Sequence, residues 1–226
     1  RGVRADDMGG GTVWILEDMT AAREAQQQQA WAALHDPLTQ LCNRDGFAQR
    51  MAVLLAERSA RARTSHIPAA DARVADGTGD GVLLFLDLDY FTVVNDVAGH
   101  DAGDDVLRHV ARLLESQVRQ IGWAARLGGD EFAVVLPGCS LRRGQAVAEQ
   151  LRAAVQAWQP SYQGRSFTLG VSIGLVMLDA RWPDVPSVLY AADMACYDAK
   201  RAGRNRVETR HVHQGTASGR MPLPPV

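Results

Sequence analysis

Apolar residues follow two rhythms along this chain, and the contrast between them predicts its elements. Gly81–Leu86 reads G-V-L-L-F-L, a continuous apolar run that predicts a strand buried on both faces, and it ends abruptly in Asp87-Leu88-Asp89. Trp123-Ala124-Ala125 and Ala133–Leu136 flank the stretch R-L-G-G-D-E-F, Arg126–Phe132. Paired glycines at Gly128-Gly129 can supply positive φ, so these runs predict a hairpin with Asp130 and Glu131 side by side at its tip. Phe167–Leu178 predicts a further strand and Val207 starts a short last one. Thr12–Leu16 is a brief β-type run with nothing nearby to pair with, and reads as the last strand of an upstream domain.

The second rhythm has the helical period. Val106, Leu107, Val110, Leu113, Leu114 and Val118 place one apolar stripe on a long helix that starts at Asp101 or at Gly103-Asp104. Phe47, Met51, Leu54 and Leu55 do the same for a helix from Arg44 through Glu57. Further helices are predicted over Tyr90–Asn95, Leu141–Trp158 and Val185–Arg201, the last closed by Gly203. An Ala/Gln/Glu-rich stretch to Leu34, capped by Asp18 or Thr20, has high helix propensity and a thin stripe of Met19, Ala22, Trp31 and Leu34. It reads as a connecting helix that either pairs with its counterpart in a dimer or packs on its own domain. Pro37 ends it. Ser59–Asp80 has no periodicity and is expected to be a mobile loop. The Gly/Ser/Pro-rich tail is expected to be disordered.

Helices alternate with strands while one strand pair forms a hairpin, which predicts an α/β fold with a mixed central sheet flanked by helices. The expected division is residues 1–19 as the end of a truncated upstream domain, 20–35 as the connecting helix, 36–208 as the principal domain and 209–226 as the tail.

Composition narrows the function classes. A net charge of −2 over 226 residues excludes the basic signature of a nucleic-acid duplex binder. Cys42, Cys139 and Cys196 lack metal-type spacing and read as buried apolar residues of a reducing, cytoplasmic protein. No apolar run approaches a membrane span and no signal peptide opens the chain. A start at Arg1 rather than Met leads us to expect a piece of something longer. Lys200 is the only lysine, which makes its position notable.

Asp87 stands at the end of a buried strand, where open sheets present their binding crevices. Should the hairpin pair beside it, Asp87 would meet Asp130 or Glu131. With the Leu88 carbonyl these make an all-oxygen site suited to Mg2+ or Mn2+, and hence to triphosphate chemistry. The plainer reading of the same residues is a polar strand end and a solvated acidic turn.

The stretch L-D-L-D-Y-F-x-x-x-N-D-x-x-G-H-x-x-G-D (Leu86–Asp104), followed by R-L-G-G-D-E-F, resembles the GGDEF family of diguanylate cyclases. Asp36–Arg44 (D-P-L-T-x-L-x-N-R) and Tyr197–Asn205 (Y-x-A-K-x-x-G-R-N) resemble the same family, and the four motifs run in its order. The resemblance implies a nucleotidyl-cyclase or polymerase-palm-like fold. It also implies condensation of two GTP into cyclic di-GMP across a homodimer, with release of pyrophosphate. Asp87, the Leu88 carbonyl and Asp130 would hold metal ions, and Glu131 would act as a further ligand or in activating the 3′-hydroxyl. Asn95 and Asp104 would read guanine. The Tyr90 and Phe91 N–H groups, with Lys200 and Arg204, would bind phosphate oxygens. Simpler roles exist: Asp104 suits a helix first turn, and Lys200 and Arg204 suit a helix C-terminus.

Two positions depart from the family pattern. Thr92 stands where the family usually has lysine, which predicts weaker GTP binding with the metal site retained. Arg119-Gln120-Ile121-Gly122 keeps the arginine of an R-x-x-D inhibitory motif and loses its carboxylate, which predicts weak or absent product inhibition there. The alternative function is a non-catalytic GGDEF-like module that binds GTP or cyclic di-GMP and regulates a partner.

Overall fold

The computed structural model describes residues 28–60, 81–180 and 182–210, together with the backbone of 2–4, 12–14 and 61–64. In chain order its elements are β1 (Gly2–Arg4), β2 (Thr12–Trp14), α1 (Arg44–Thr64), β3 (Gly81–Asp89), α2 (Phe91–Ala98) and α3 (His100–Val118). There follow β4 (Trp123–Gly128), β5 (Glu131–Pro137), α4 (Leu141–Ala157), β6 (Ser161–Tyr162), β7 (Arg165–Ser166), β8 (Gly170–Met177), α5 (Val185–Arg201) and β9 (Val207–Arg210).

The main sheet has five strands in the order β4-β5-β3-β8-β9. Each neighbouring pair among its first four strands is antiparallel, and β9 joins β8 in parallel. β3 lies at the centre because its apolar run can be buried on both sides. Val82, Leu84, Leu86 and Leu88 pack on one face with Val106, Val110 and Leu114 of α3 and Leu151 of α4. Leu83 and Phe85 pack on the other with Phe47 and Met51 of α1 and Val188 and Ala192 of α5. Strand alternation therefore aims Asp87 at the α1/α5 side. The result is the mixed, helix-flanked sheet that the alternation of patterns predicts.

Several expectations change. Thr12–Trp14 has a partner after all: it pairs antiparallel with Gly2–Arg4, with Val3 opposite Val13. α1 continues to Thr64 rather than giving way to a loop at Ser59. The Ala/Arg composition of that stretch favours helix without supplying an apolar stripe, so periodicity alone did not extend it. The long central helix begins at His100, and α2 ends at Ala98 rather than Asn95. β8 begins at Gly170, not Phe167, and the two-residue strands β6 and β7 have no pattern that predicts them. In the β4–β5 turn only Gly129 has positive φ, 41°, because a bulge between Arg126 and Gly128 absorbs part of the reversal. Residues 28–32 are helical and the chain turns at His35–Thr39; the rest of the expected connecting helix, the 65–80 segment and the tail from His211 lie outside the described residues. No helix among the described residues is long and apolar enough to cross a membrane.

Candidate active site

Asp87 and Glu131 face one another in the β3–β5 ladder. Facing residues project from the same side of a sheet, so both carboxyls leave it toward α5. One position on, the Leu88 N–H donates to the Asp130 carbonyl at 3.3 Å, which holds the turn against the end of β3. The structure thus brings Asp87, Asp130 and Glu131 to one corner.

Lys200, in the last turn of α5, reaches the same corner, with Nζ 2.6 Å from Asp87 Oδ2. Burial pushes the Asp87 carboxyl above its ordinary value, the Lys200 bond pulls it back, and the Asp130 charge raises it further. Burial acts to lower the Lys200 ammonium and the Asp87 bond outweighs it, so its net shift is upward. The pair is a stabilised ammonium on a carboxylate that burial has made more basic. Burial likewise raises Glu131, the Arg44 guanidinium 3.5 Å away lowers it, and Asp87 raises it.

Asp193 was not anticipated. It stands seven residues before Lys200, two helical turns along the same stripe of α5, and its charge is felt by Glu131. Although much of the residue is open to solvent, partial burial pushes its carboxyl up, and Lys200 draws it back. The i, i+7 spacing from Lys200 was the available signal.

No three His, Cys, Asp or Glu side chains among the described residues form a ready metal cage. The donor set is instead carboxylates and main-chain oxygens at a strand end. That set suits a hard cation which keeps waters and completes its shell from phosphate. Asp87 raises the proton affinity of Glu131, and Asp130 raises that of both, so added positive charge is stabilising there.

Around this corner lie the other predicted residues. Tyr90 caps α2 in the left-handed conformation, φ 61° and ψ 24°, an uncommon state for a non-glycine residue. Phe91 follows as the first residue of α2, so the N–H groups here precede the helical ladder. Arg204 lies with its guanidinium 5.2 Å from the centre of the Tyr90 ring. Lys200 and Arg204 therefore approach the end of β3 by separate contacts, one on Asp87 and one on Tyr90. The Asn95 amide oxygen sits tight against Gly103, in space that a Cβ would fill, immediately before Asp104. Asp104 is half exposed and pairs with Arg108 at 3.7 Å. The structure thus sets Asn95 of α2 against Gly103 of α3, next in sequence to Asp104. Thr92 is exposed on α2.

The D-P-L-T-x-L-x-N-R segment turns out to brace the acidic turn. Arg126 donates to the Gly129 carbonyl through Nε at 3.0 Å and Nη2 at 2.9 Å, and through Nη1 to Asp36 at 3.1 Å. Asp36 also accepts from the Thr39 N–H at 2.8 Å and hydroxyl at 2.6 Å. Burial acts to raise the Asp36 carboxyl, and the Thr39 and Arg126 bonds more than offset it, leaving it below the ordinary carboxylate value. Arg44 donates to the Leu127 carbonyl at 3.0 Å. Spacing alone gave no sign of this brace.

Arg119 lines a cleft of about 200 Å³ with Arg50, Glu115, Gly122 and Trp123. Gly122 is more than a lost carboxylate: a Cβ on it would lie 2.0 Å from the Val135 carbonyl oxygen. The chain has room for no side chain there.

A five-stranded palm sheet, acids facing across β3 and β5, and a lysine delivered from α5 define a nucleotidyl-cyclase-type domain. The chain belongs to the GGDEF family: the family described as "Diguanylate cyclase, GGDEF domain" matches residues 33–206. It is 35% identical over 207 residues to the probable diguanylate cyclase DgcE of Escherichia coli K12, which covers 92% of this chain and 17% of that relative. It is 37% identical over 192 residues to diguanylate cyclase DgcP of Pseudomonas aeruginosa, covering 85% of this chain and 26% of that one. The chain thus spans well under a third of the length of either relative. Among solved structures, the coiled coil and GGDEF domain of DgcB from Caulobacter crescentus, in complex with c-di-GMP, is similar at TM-score 0.71 and 29% identity, over 85% of this chain and 94% of that one. The GGDEF domain of PA1120 from Pseudomonas aeruginosa is similar at TM-score 0.64 and 31% identity, over 77% of this chain and 99% of that one.

Proposed function

We propose that this chain is the catalytic domain of a diguanylate cyclase, which condenses two GTP into cyclic di-GMP and releases two pyrophosphates. The observation that carries the reading is the facing of Asp87 and Glu131 across β3 and β5, with Asp130 at the turn. Family membership and the cyclic di-GMP bound by DgcB support the product class.

In this reading the 3′-hydroxyl oxygen of one GTP bonds to the α-phosphorus of the other, and the bond from that phosphorus to the β-phosphate oxygen breaks. A second such step closes the ring. A bound Mg2+ or Mn2+ supplies charge neutralisation for the triphosphate, and Asp87, the Leu88 carbonyl and Asp130 would hold it. Glu131 joins that shell or accepts the proton of the 3′-hydroxyl; its raised carboxyl is compatible with both. Asn95 and Asp104 hold guanine, because a carboxylate accepts from its N1–H and amino group while adenine offers no such pair. The Tyr90 and Phe91 N–H groups, Lys200 and Arg204 bind the phosphates.

One domain holds one GTP, so two copies face each other during turnover. We assign the connecting segment 20–35 to control of this pairing and residues 1–19 to an upstream domain. Chromatography of products after incubation with GTP and Mg2+ tests the proposal: wild type yields cyclic di-GMP and Glu131→Ala yields none. Exposed Thr92, in place of a cation, favours the second reading, a GTP- or cyclic di-GMP-binding regulator. Release of no pyrophosphate by the wild type would select it.

A further inference from the structure

Just after α5 the chain holds two consecutive non-glycine residues, Arg204 and Asn205, in left-handed conformation, with φ of 63° and 45°. Such a pair is unfavourable for L-residues and persists only where its surroundings over-determine it. Three contacts do so here. The Asn205 N–H donates to Asp89 Oδ2 at 2.9 Å. The Asn205 side-chain oxygen accepts from Arg152 Nη1 of α4 at 3.1 Å. The Arg204 N–H donates to the Ala199 carbonyl at 3.0 Å.

Asp89 is itself almost wholly buried, 2% exposed, and its other oxygen accepts from the Ser172 hydroxyl at 2.8 Å. Its two oxygens are thus engaged with β8 and with the 204–206 loop. Arg152 is likewise a fixed donor, bound through Nε to Glu149 at 2.8 Å and through Nη1 to Gln156 at 2.7 Å. The loop is clasped from both sides, and the residue it projects is Arg204, whose guanidinium lies over Tyr90 at the end of β3.

We infer that Asn205 is a positioning residue for substrate: clasped between Asp89 and Arg152, it fixes the left-handed turn that aims Arg204 at the triphosphate. The inference rests on the assignment of Arg204 to phosphate. Asp89 then differs in role from Asp87 two residues earlier. Asp87 faces the acidic corner, whereas Asp89 shapes the loop that carries Arg204 to Tyr90.

The test is a double-mutant cycle on affinity for the α,β-methylene analogue of GTP, measured by calorimetry with Mg2+. Arg204→Ala is expected to weaken binding roughly tenfold. Asn205→Val, which disfavours the left-handed state and removes the Arg152 bond, should weaken binding by a similar factor on its own and by nothing further in the Arg204→Ala background. Asn205→Gly, which keeps the backbone state, should recover most of the loss. Additive losses, or Asn205→Val at wild-type affinity while Arg204→Ala is weakened, would overturn this inference alone. Arg204→Ala at wild-type affinity would remove the assignment of Arg204 and this inference with it. Where Asn205→Val fails to fold, Asn205→Ala, a milder change that also disfavours the left-handed state and removes the Arg152 bond, carries the cycle on the same terms.

Discussion

The Asp87 carboxylate is contested. Lys200 occupies Oδ2 at 2.6 Å, and the same oxygens are those a divalent ion would need. Two cations competing for one carboxylate couple their binding, so Lys200 cannot serve phosphate and Asp87 equally well at once. Replacing Lys200 with methionine should therefore act in opposite directions: Mn2+ binds several-fold more tightly without nucleotide, and the GTP analogue binds roughly tenfold more weakly. Calorimetric titration with each ligand checks the pair of signs, and a loss of both affinities contradicts the competition. At the brace, Asp36→Asn should cost about 2 kcal/mol at neutral pH, because Arg126 is left partly buried without its carboxylate. The pH dependence follows from the lowered Asp36 carboxyl. A folded value below the unfolded one, about 3.9, stabilises the protein above that pH and is lost as pH falls through the folded value. Urea unfolding of the two proteins should differ at pH 7 and converge toward pH 3.

At the scale of elements, β3 and α5 were legible and the short strands were not. A continuous run such as Val82–Leu86 has few alternatives to a doubly covered strand, and Val185–Arg201 is bounded by Asp184 as cap and Gly203 after its end. Ser161-Tyr162 and Arg165-Ser166 are too short to show alternation, and only their turn geometry, with Gln163 and Gly164 at positive φ, makes them pair. The entry to β4 shows what packing adds to a motif. Gly122 meets the Val135 carbonyl so closely that Gly122→Asp, which rewrites the R-x-x-D motif, must push β4 off β5. We expect a loss of at least about 2 kcal/mol in urea unfolding and no gain of tight cyclic di-GMP binding by calorimetry. Tight binding in the wild type that disappears in Arg119→Ala would contradict a degenerate inhibitory site.

At the scale of the molecule, the proposed reaction consumes two nucleotides and the proposed site of one domain holds one. Specific activity should therefore rise with protein concentration until dimerisation saturates, and sedimentation across the same range should track it. Activity per chain that stays constant through a concentration range where only monomer sediments would contradict the two-copy reading. Within one copy, the sequence by itself determined the central strand, the acidic turn, the helices around them and the family to which they belong. It did so because burial on both faces, turn chemistry and helical period are local constraints on residue type. Only the tertiary structure decided that Lys200 rests on Asp87, that Asp36 braces Gly129 through Arg126, and that Asp89 holds the loop of Arg204. These contacts join residues from about 90 to more than 110 positions apart, where no periodicity reaches, and strand register with helix packing sets which side chains meet.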